Sequence, residues 1–137
     1  IGLANPNALL LANATFDALQ KIGWPEGRII LSECAVYLAT SPKSNSAYMA
    51  INEALEYVEE SGNLPVPLHL RNAPTKLMKD LGYGADYHYP HSYPGNFIMQ
   101  QYMPDKAIDK QFWCPQQNAQ ESKMAERMNY LWNKNNQ

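Results

Sequence analysis

The sequence predicts an all-α fold, and three features of the chain favour it. Apolar residues recur at three- and four-residue spacing in three consecutive segments, which is the pattern of amphipathic helices. Short connections rich in glycine and proline separate these segments, as is typical of antiparallel neighbouring helices. A polar segment near the end of the chain carries a thin apolar stripe at the same spacing. We therefore expect a single domain over residues 1–137, with a helical core over about residues 6–82.

The first predicted helix begins at Asn5-Pro6-Asn7, because proline is favoured at the first helical position. Gly23 is expected to end this helix, and the turn Trp24-Pro25-Glu26-Gly27 leads to the next one. Its apolar side comprises Ala8, Leu11, Ala12, Thr15, Leu19 and Ile22.

The second and third predicted helices meet at a corner, and we expect this helical hairpin to organise the domain. Pro42 cannot donate a backbone hydrogen bond, so the earlier helix should stop before it. Ser41 or Ser44 is expected to cap the later helix, with Pro42 in its first turn. The apolar faces comprise Ile30, Leu31, Cys34, Ala35 and Leu38 on the earlier helix, and Ala47, Ala50, Ile51, Ala54, Leu55 and Val58 on the later one.

Beyond these helices the pattern changes, first to an extended segment over 64–71 and then to a short helix over about 75–81. Residues 83–117 then form a proline-rich segment without helical periodicity, which we call the aromatic strap. It holds eight of the fifteen aromatic residues, so we expect it to be ordered and to pack on the helices. A hairpin is expected at Pro94-Gly95. A terminal helix follows over about residues 119–134, with Met124, Met128, Leu131 and Trp132 on its apolar stripe.

Composition excludes some classes of function. The formal net charge is −2 and the eleven basic residues are scattered singly, which argues against a domain that grips nucleic acid by itself. No apolar run approaches the roughly 20 residues of a membrane span. Cys34 and Cys114 lie far apart, so a reduced, cytosolic protein is the default. Because the sequence does not begin with methionine, we expect a piece of a longer protein.

Two local patterns suggest binding chemistry. His69, His88 and His91 could supply metal ligands, but they lack the spacing of known zinc motifs, so structural histidines are favoured. The segment Pro42–Ser46, with its lysine, resembles an anion-receiving helix N-terminus without the glycines of a phosphate loop. A capped helix start that packs the corner is the favoured interpretation. From these patterns no catalytic, cofactor-binding or metal-binding residue is assigned.

Four motifs occur in order along residues 1 to about 115: IGLANPNAL, GWPEGRIILSECAVYLATSPKSNSAY, VPLHLRNA and YHYPHSYPGNFIMQQYMPD. Together they resemble the C-terminal domain of the RarA/MgsA family of AAA+ ATPases, which are related to clamp loaders and include the Werner-helicase-interacting protein. The motif positions to which no role is assigned are Lys43, Ser44, Asn45, His69, Arg71, Tyr89, His91, Gln101 and Tyr102.

The resemblance implies a collar-like helical oligomerisation domain, which forms a homotetramer and adjoins the N-terminal ATPase module of its own chain. It implies a parent protein that acts with DNA and replication proteins in replication-fork maintenance and recombination, in the cytoplasm and on the nucleoid. That parent would be a DNA-dependent ATPase with ATP and Mg as cofactors, whereas this chain carries no Walker A loop, Walker B strand or arginine-finger context. The alternatives are a helical adaptor that binds a partner peptide in a groove, and a metal-dependent hydrolase that uses the histidines.

Overall fold

The computed structural model describes residues 1–133, and over that range it contains five α-helices and no β-strand. The prediction of an all-α fold is confirmed. The α-helices are α1 (Asn7–Ile22), α2 (Gly27–Thr40), α3 (Ser46–Ser61), α4 (Lys76–Asp80) and α5 (Ala119–Asn133). Short 3₁₀ helices span Gly2–Ala4, Leu68–Leu70, Pro90–Ser92, Pro94–Asn96 and Asp105–Ala107. The predicted end of the terminal helix, at residue 134, lies outside the described residues.

The chain divides into two compact units. The first unit comprises Ile1–Ala54 and Phe112–Arg127, and the second comprises Leu55–Gln111 and the residues from Met128 onward. Both α3 and α5 contribute residues to each unit, as does the aromatic strap. The organisation of residues 1–137 as a single domain stays a prediction.

In the first unit, α1 and α2 are the closely packed pair of helices. Gly23, with a φ of 71°, ends α1 as predicted, and its N–H donates to the Leu19 carbonyl at 2.9 Å. Gly27 then opens α2, where its missing Cβ leaves room for the Leu19 side chain. The expected organising hairpin of α2 and α3 is therefore wrong, because α2 packs closely on α1 and not on α3. Ser41 has extended backbone, and residues 41–45 form no tight turn that would fold α3 back onto α2.

The corner between α2 and α3 differs from the prediction in one respect. α2 ends at Thr40, directly before the Ser41-Pro42 pair, as predicted. However, α3 begins only at Ser46, so Pro42 is not in its first turn. Ser44 still takes part in capping, because its Oγ accepts the Ser46 N–H at 3.2 Å.

The second unit contains α4 and most of the aromatic strap. Thr75 Oγ1 accepts the Met78 N–H at 3.3 Å and so caps α4, close to where the sequence places this helix. The strap contains no α-helix, as predicted, but the hairpin expected at Pro94-Gly95 is wrong. Two successive 3₁₀ turns, over Pro90–Ser92 and Pro94–Asn96, take its place. Each opens at a proline, which lacks the N–H that a strand ladder would need.

The apolar core of the described residues is small. Its buried apolar members are Ala4, Ala8, Cys34 and Ala107, which confirms the interpretation of Cys34 as a small core residue. The predicted apolar face of α3 remains open, since Ile51, Leu55 and Val58 are 53%, 61% and 56% exposed. The helices thus carry the expected amphipathic pattern, but much of their apolar surface stays uncovered within this chain.

Candidate functional site

The motif residue Lys43 fastens the end of α2. Its Nζ donates to the carbonyls of Leu38 at 3.1 Å and of Ser41 at 3.0 Å. Carbonyls at the C-terminus of a helix lack partners and carry the negative end of the helix dipole, so a lysine is stabilising there. The Lys43 ammonium group is therefore held by carbonyls at the C-terminal end of α2.

Ser44, the next motif residue, fastens the beginning of the chain. Its N–H donates to the Ile1 carbonyl at 3.1 Å. Gly2 adopts a φ of 53° against this contact, and a Cβ there would lie 2.6 Å from the Ser44 carbonyl oxygen. Nearby, the side chains of Asn5 and Tyr37 hydrogen-bond at 3.0 Å. The corner thus holds the first residues of the chain against α2.

The start of α5 docks on the same corner through five residues that we call the corner cluster: Ser44, Ser46, Trp113, Asn118 and Glu121. Ser46 Oγ donates to Oε1 of Glu121 and accepts the Trp113 indole N–H at 3.1 Å. Asn118 Nδ2 donates to Oε2 of Glu121, while Asn118 Oδ1 accepts the Glu121 N–H at 2.9 Å. Both carboxylate oxygens of Glu121 therefore accept a hydrogen bond, and its backbone N–H donates one.

The Glu121 side chain is fully buried, at 0% exposure. Burial by itself raises the pKa of a carboxyl group, because it disfavours the charged form. Hydrogen bonds from the side chains of Ser44, Ser46 and Asn118 and from the Gln116 backbone outweigh burial, and they lower the pKa of Glu121 from 4.5 to about 2. Glu121 is therefore an ionised carboxylate at neutral pH.

In this arrangement, Ser46 at the end of the Pro42–Ser46 segment bonds a carboxylate of the same chain. The sequence suggested a capped helix start or an anion-receiving helix N-terminus, and the structure places the chain's own carboxylate, Glu121, at the start of α3. Sequence reasoning did not find Glu121. Its only local signal is the Asn118-x-x-Glu121 spacing, which resembles a capping box, but the carboxylate bonds Ser46, which lies 75 residues earlier in the chain.

In the second unit, the motif residues His69 and Gln101 lie together. The His69 Nε2–H donates to the Gln101 carbonyl at 2.7 Å, and Gln101 Nε2 donates to the Met103 carbonyl at 2.8 Å. Both residues also line a cavity of about 460 Å³, with Leu68, Gly82, Ala85, Asp86 and Gln100. These contacts tie the 3₁₀ helix that contains His69 to the strap.

The motif residue Arg71 is held separately from that pair. Its Nε donates to the Val66 carbonyl at 2.6 Å, and its Nη1 donates to the Tyr83 hydroxyl at 3.1 Å. The guanidinium carbon also lies 5.0 Å from the centre of the Tyr83 ring, within the range of a cation–π contact. Arg71 thus fixes the first residue of the strap.

The remaining histidines take part in aromatic contacts. His88 Nδ1 lies 2.5 Å from the Tyr93 hydroxyl, and the His91 ring lies 5.1 Å from the ring of the motif residue Tyr89. Within residues 1–133, no three His, Cys, Asp or Glu side chains form a group that could hold a metal ion. In the same range no helix is long and apolar enough to cross a membrane.

An apolar groove of about 480 Å³ lies in the second unit, which we call the Trp132 groove. The Trp132 ring meets Phe97 and Tyr102 edge-on at 5.3 and 6.4 Å and remains 40% exposed. The groove is lined by Met99, Gln100, Gln101, Tyr102, Met103, Ile108 and Trp132. Methionine and aromatic side chains of this kind are enriched at protein interfaces.

Comparison of the sequence with known proteins identifies the family to which the chain belongs. The sequence model described as "MgsA AAA+ ATPase C terminal" matches residues 1–132. Replication-associated recombination protein A of Coxiella burnetii is 40% identical over 138 residues, which cover 100% of this chain and 31% of that protein. ATPase WRNIP1 of Dictyostelium discoideum is 45% identical over 121 residues, which cover 84% of this chain and 14% of that protein. The chain therefore spans less than a third of the length of these relatives.

Proposed function

Because the chain belongs to the family of MgsA AAA+ ATPase C-terminal domains, we propose that it is the oligomerisation domain of a RarA/MgsA-like ATPase. In this proposal the domain assembles a homotetramer beside an N-terminal ATPase module, and the parent protein acts on DNA with replication proteins. The name of several relatives, replication-associated recombination protein A, supports a role in replication-fork maintenance and recombination. We place the parent in the cytoplasm, associated with the nucleoid.

The exposure of large apolar side chains is the observation that carries the oligomerisation role. Leu9, Leu55 and Trp132 are 69%, 61% and 40% exposed. Each of these side chains is apolar surface that water contacts when the chain is alone. Association of copies would cover this surface.

ATP and Mg belong to another part of the parent in this proposal. Cradling the phosphates of ATP requires a glycine-rich loop that lets the backbone approach them closely. The sequence contains no such loop with the GK[ST] signature, so its residues do not fit ATP.

Sedimentation equilibrium on the purified chain tests the oligomerisation role. We expect a mass above 15.5 kDa that rises with concentration from low to high micromolar and approaches four times that value. A strict 15.5 kDa monomer throughout this range would refute the proposal.

The second candidate function is a helical adaptor, and the Trp132 groove is the observation that favours it. A groove lined by methionine and aromatic residues is suited to the apolar side of a partner peptide. Light scattering separates the two candidates, because an adaptor would stay monomeric alone, whereas an oligomerisation domain would not.

A further inference from the structure

Glu121 is the only charged side chain that is buried among the described residues, and its partners are all neutral. An isolated buried carboxylate is costly, so donors and dipoles must compensate it. Hydrogen-bond donors near the starts of two helices provide this compensation. Ser46, which donates to the carboxylate, is the first residue of α3, and Glu121 itself is the third residue of α5.

The directions of the hydrogen bonds in the corner cluster require two acceptor oxygens at position 121, which a carboxylate supplies. Trp113 donates to Ser46 Oγ, so the single hydroxyl proton of Ser46 goes to Oε1 of Glu121. Asn118 donates to the other oxygen, Oε2, and its amide orientation is fixed because its own Oδ1 accepts the Glu121 N–H. The Ser44 side chain and the Gln116 backbone also donate to this carboxylate. A neutral amide at position 121 has one acceptor atom for all of these donors, so hydrogen bonds would be lost.

The segment from residue 113 to 121 is fastened to the corner along its length. Trp113 bonds Ser46 at one end, and Glu121 bonds Ser46 at the other. Between them, Gln116 Nε2 donates to Asn45 Oδ1 at 2.5 Å. The position at the start of α3 that would suit an external anion is therefore filled from within the chain.

We propose that Glu121 is an internal latch that closes an oxyanion site at the start of α3. In the latched conformation, Ser46 and Asn118 are already donating to the carboxylate, so an external oxyanion finds no free donors there. Removal of the carboxylate vacates the site, which then accepts a small oxyanion such as formate or acetate. This inference is independent of the proposed oligomerisation, since it concerns contacts within the first unit.

The test compares Glu121→Ala with Glu121→Gln, using Glu126→Ala as the matched control, because Glu126 is exposed on the same helix. Thermal unfolding of the whole chain is followed by circular dichroism in sodium formate and in sodium chloride at equal ionic strength. We expect Glu121→Ala to melt below the unsubstituted chain in chloride and to recover several degrees in formate, saturably. The unsubstituted chain, Glu121→Gln and Glu126→Ala should show no such recovery. Acetate and inorganic phosphate serve as further probes.

Several outcomes overturn the latch. One is a response of Glu121→Ala to formate that is no larger than that of Glu126→Ala. Another is a Glu121→Gln variant as stable as the unsubstituted chain, because the charge would then be unnecessary. If Glu121→Ala is unfolded in chloride, its helix content is measured in formate instead. Regained helix content supports the latch, and unchanged content overturns it.

Discussion

At the scale of single residues, the buried carboxylate of Glu121 links stability to pH. Its pKa is about 2 in the folded chain, against 4.5 for an ordinary glutamate, because hydrogen bonds outweigh the effect of burial. Above pH 4.5 the group is ionised in both the folded and unfolded states, and its stabilising contribution is complete. As pH falls from 4.5 towards 2, the unfolded chain binds the proton first, so this contribution is progressively lost.

We therefore predict how the effect of Glu121→Gln varies with pH. At pH 7 the substitution should lower the free energy of unfolding by about 1.5–3 kcal/mol, the range for hydrogen bonds to charged groups. The difference from the unsubstituted chain should shrink as pH falls from 4.5 to about 2. Urea unfolding followed by circular dichroism at several pH values measures it. Glu126→Gln, at an exposed position, is the control, and a difference for Glu121→Gln that is independent of pH would contradict the prediction.

Local sequence patterns could identify some of these residues but not others. The stop before Pro42, the capping role of Ser44 and the core position of Cys34 follow from local chemistry or periodicity, and the structure agrees. Glu121 could not be found in this way, because its decisive partner is 75 residues distant in the chain. The family motif includes Lys43, but the motif does not indicate that the Lys43 side chain bonds the carbonyls at the end of α2.

At the scale of elements, helical periodicity predicted where the helices lie. Gly23 ends α1 and Gly82 follows α4, as expected from glycine at the ends of apolar patterns. Periodicity does not specify which surface covers an apolar face, and for this reason α3 was wrongly expected to pair with α2. The strap was predicted only as ordered and non-helical, because 3₁₀ turns that open at prolines have no periodic signal.

The terminal helix offers the sharpest test at this scale. We predict that Trp132→Glu weakens self-association roughly tenfold or more, because a charge in the Trp132 groove must be desolvated when copies pack there. Sedimentation equilibrium measures the effect, and circular dichroism checks that the helix content is unchanged. Trp24→Glu is the matched control, since Trp24 is 70% exposed in the turn before α2. An unchanged mass for Trp132→Glu would instead place the interface on the helices α1 to α3.

At the scale of the whole molecule, the family could be identified from sequence motifs in order, and the match over residues 1–132 confirms it. The division into two compact units was not predicted. It passes through α3 and α5, where the periodic pattern continues without a glycine or proline to mark a boundary. Uniform helical periodicity therefore conceals where one packed unit ends and the next begins.

The proposed division of labour with an ATPase module predicts that the purified chain does not hydrolyse ATP. The physical reason is that the chain lacks a glycine-rich loop whose backbone N–H groups could surround the phosphates. A phosphate-release assay with ATP and Mg measures this, with DNA added in a parallel sample. Turnover that survives repurification and disappears when a residue of this chain is substituted would contradict the prediction.

The contact between Gly2 and Ser44 limits how the chain can vary by mutation. Any other residue at position 2 would meet two obstacles at once, a φ of 53° and a Cβ 2.6 Å from a carbonyl oxygen of the backbone. Because that oxygen belongs to the main chain, no change of side chain at position 44 removes the conflict. We therefore expect that no second substitution compensates for the loss of Gly2. In saturation mutagenesis, position 2 should tolerate glycine alone, even when residues 41–46 are randomised together with it.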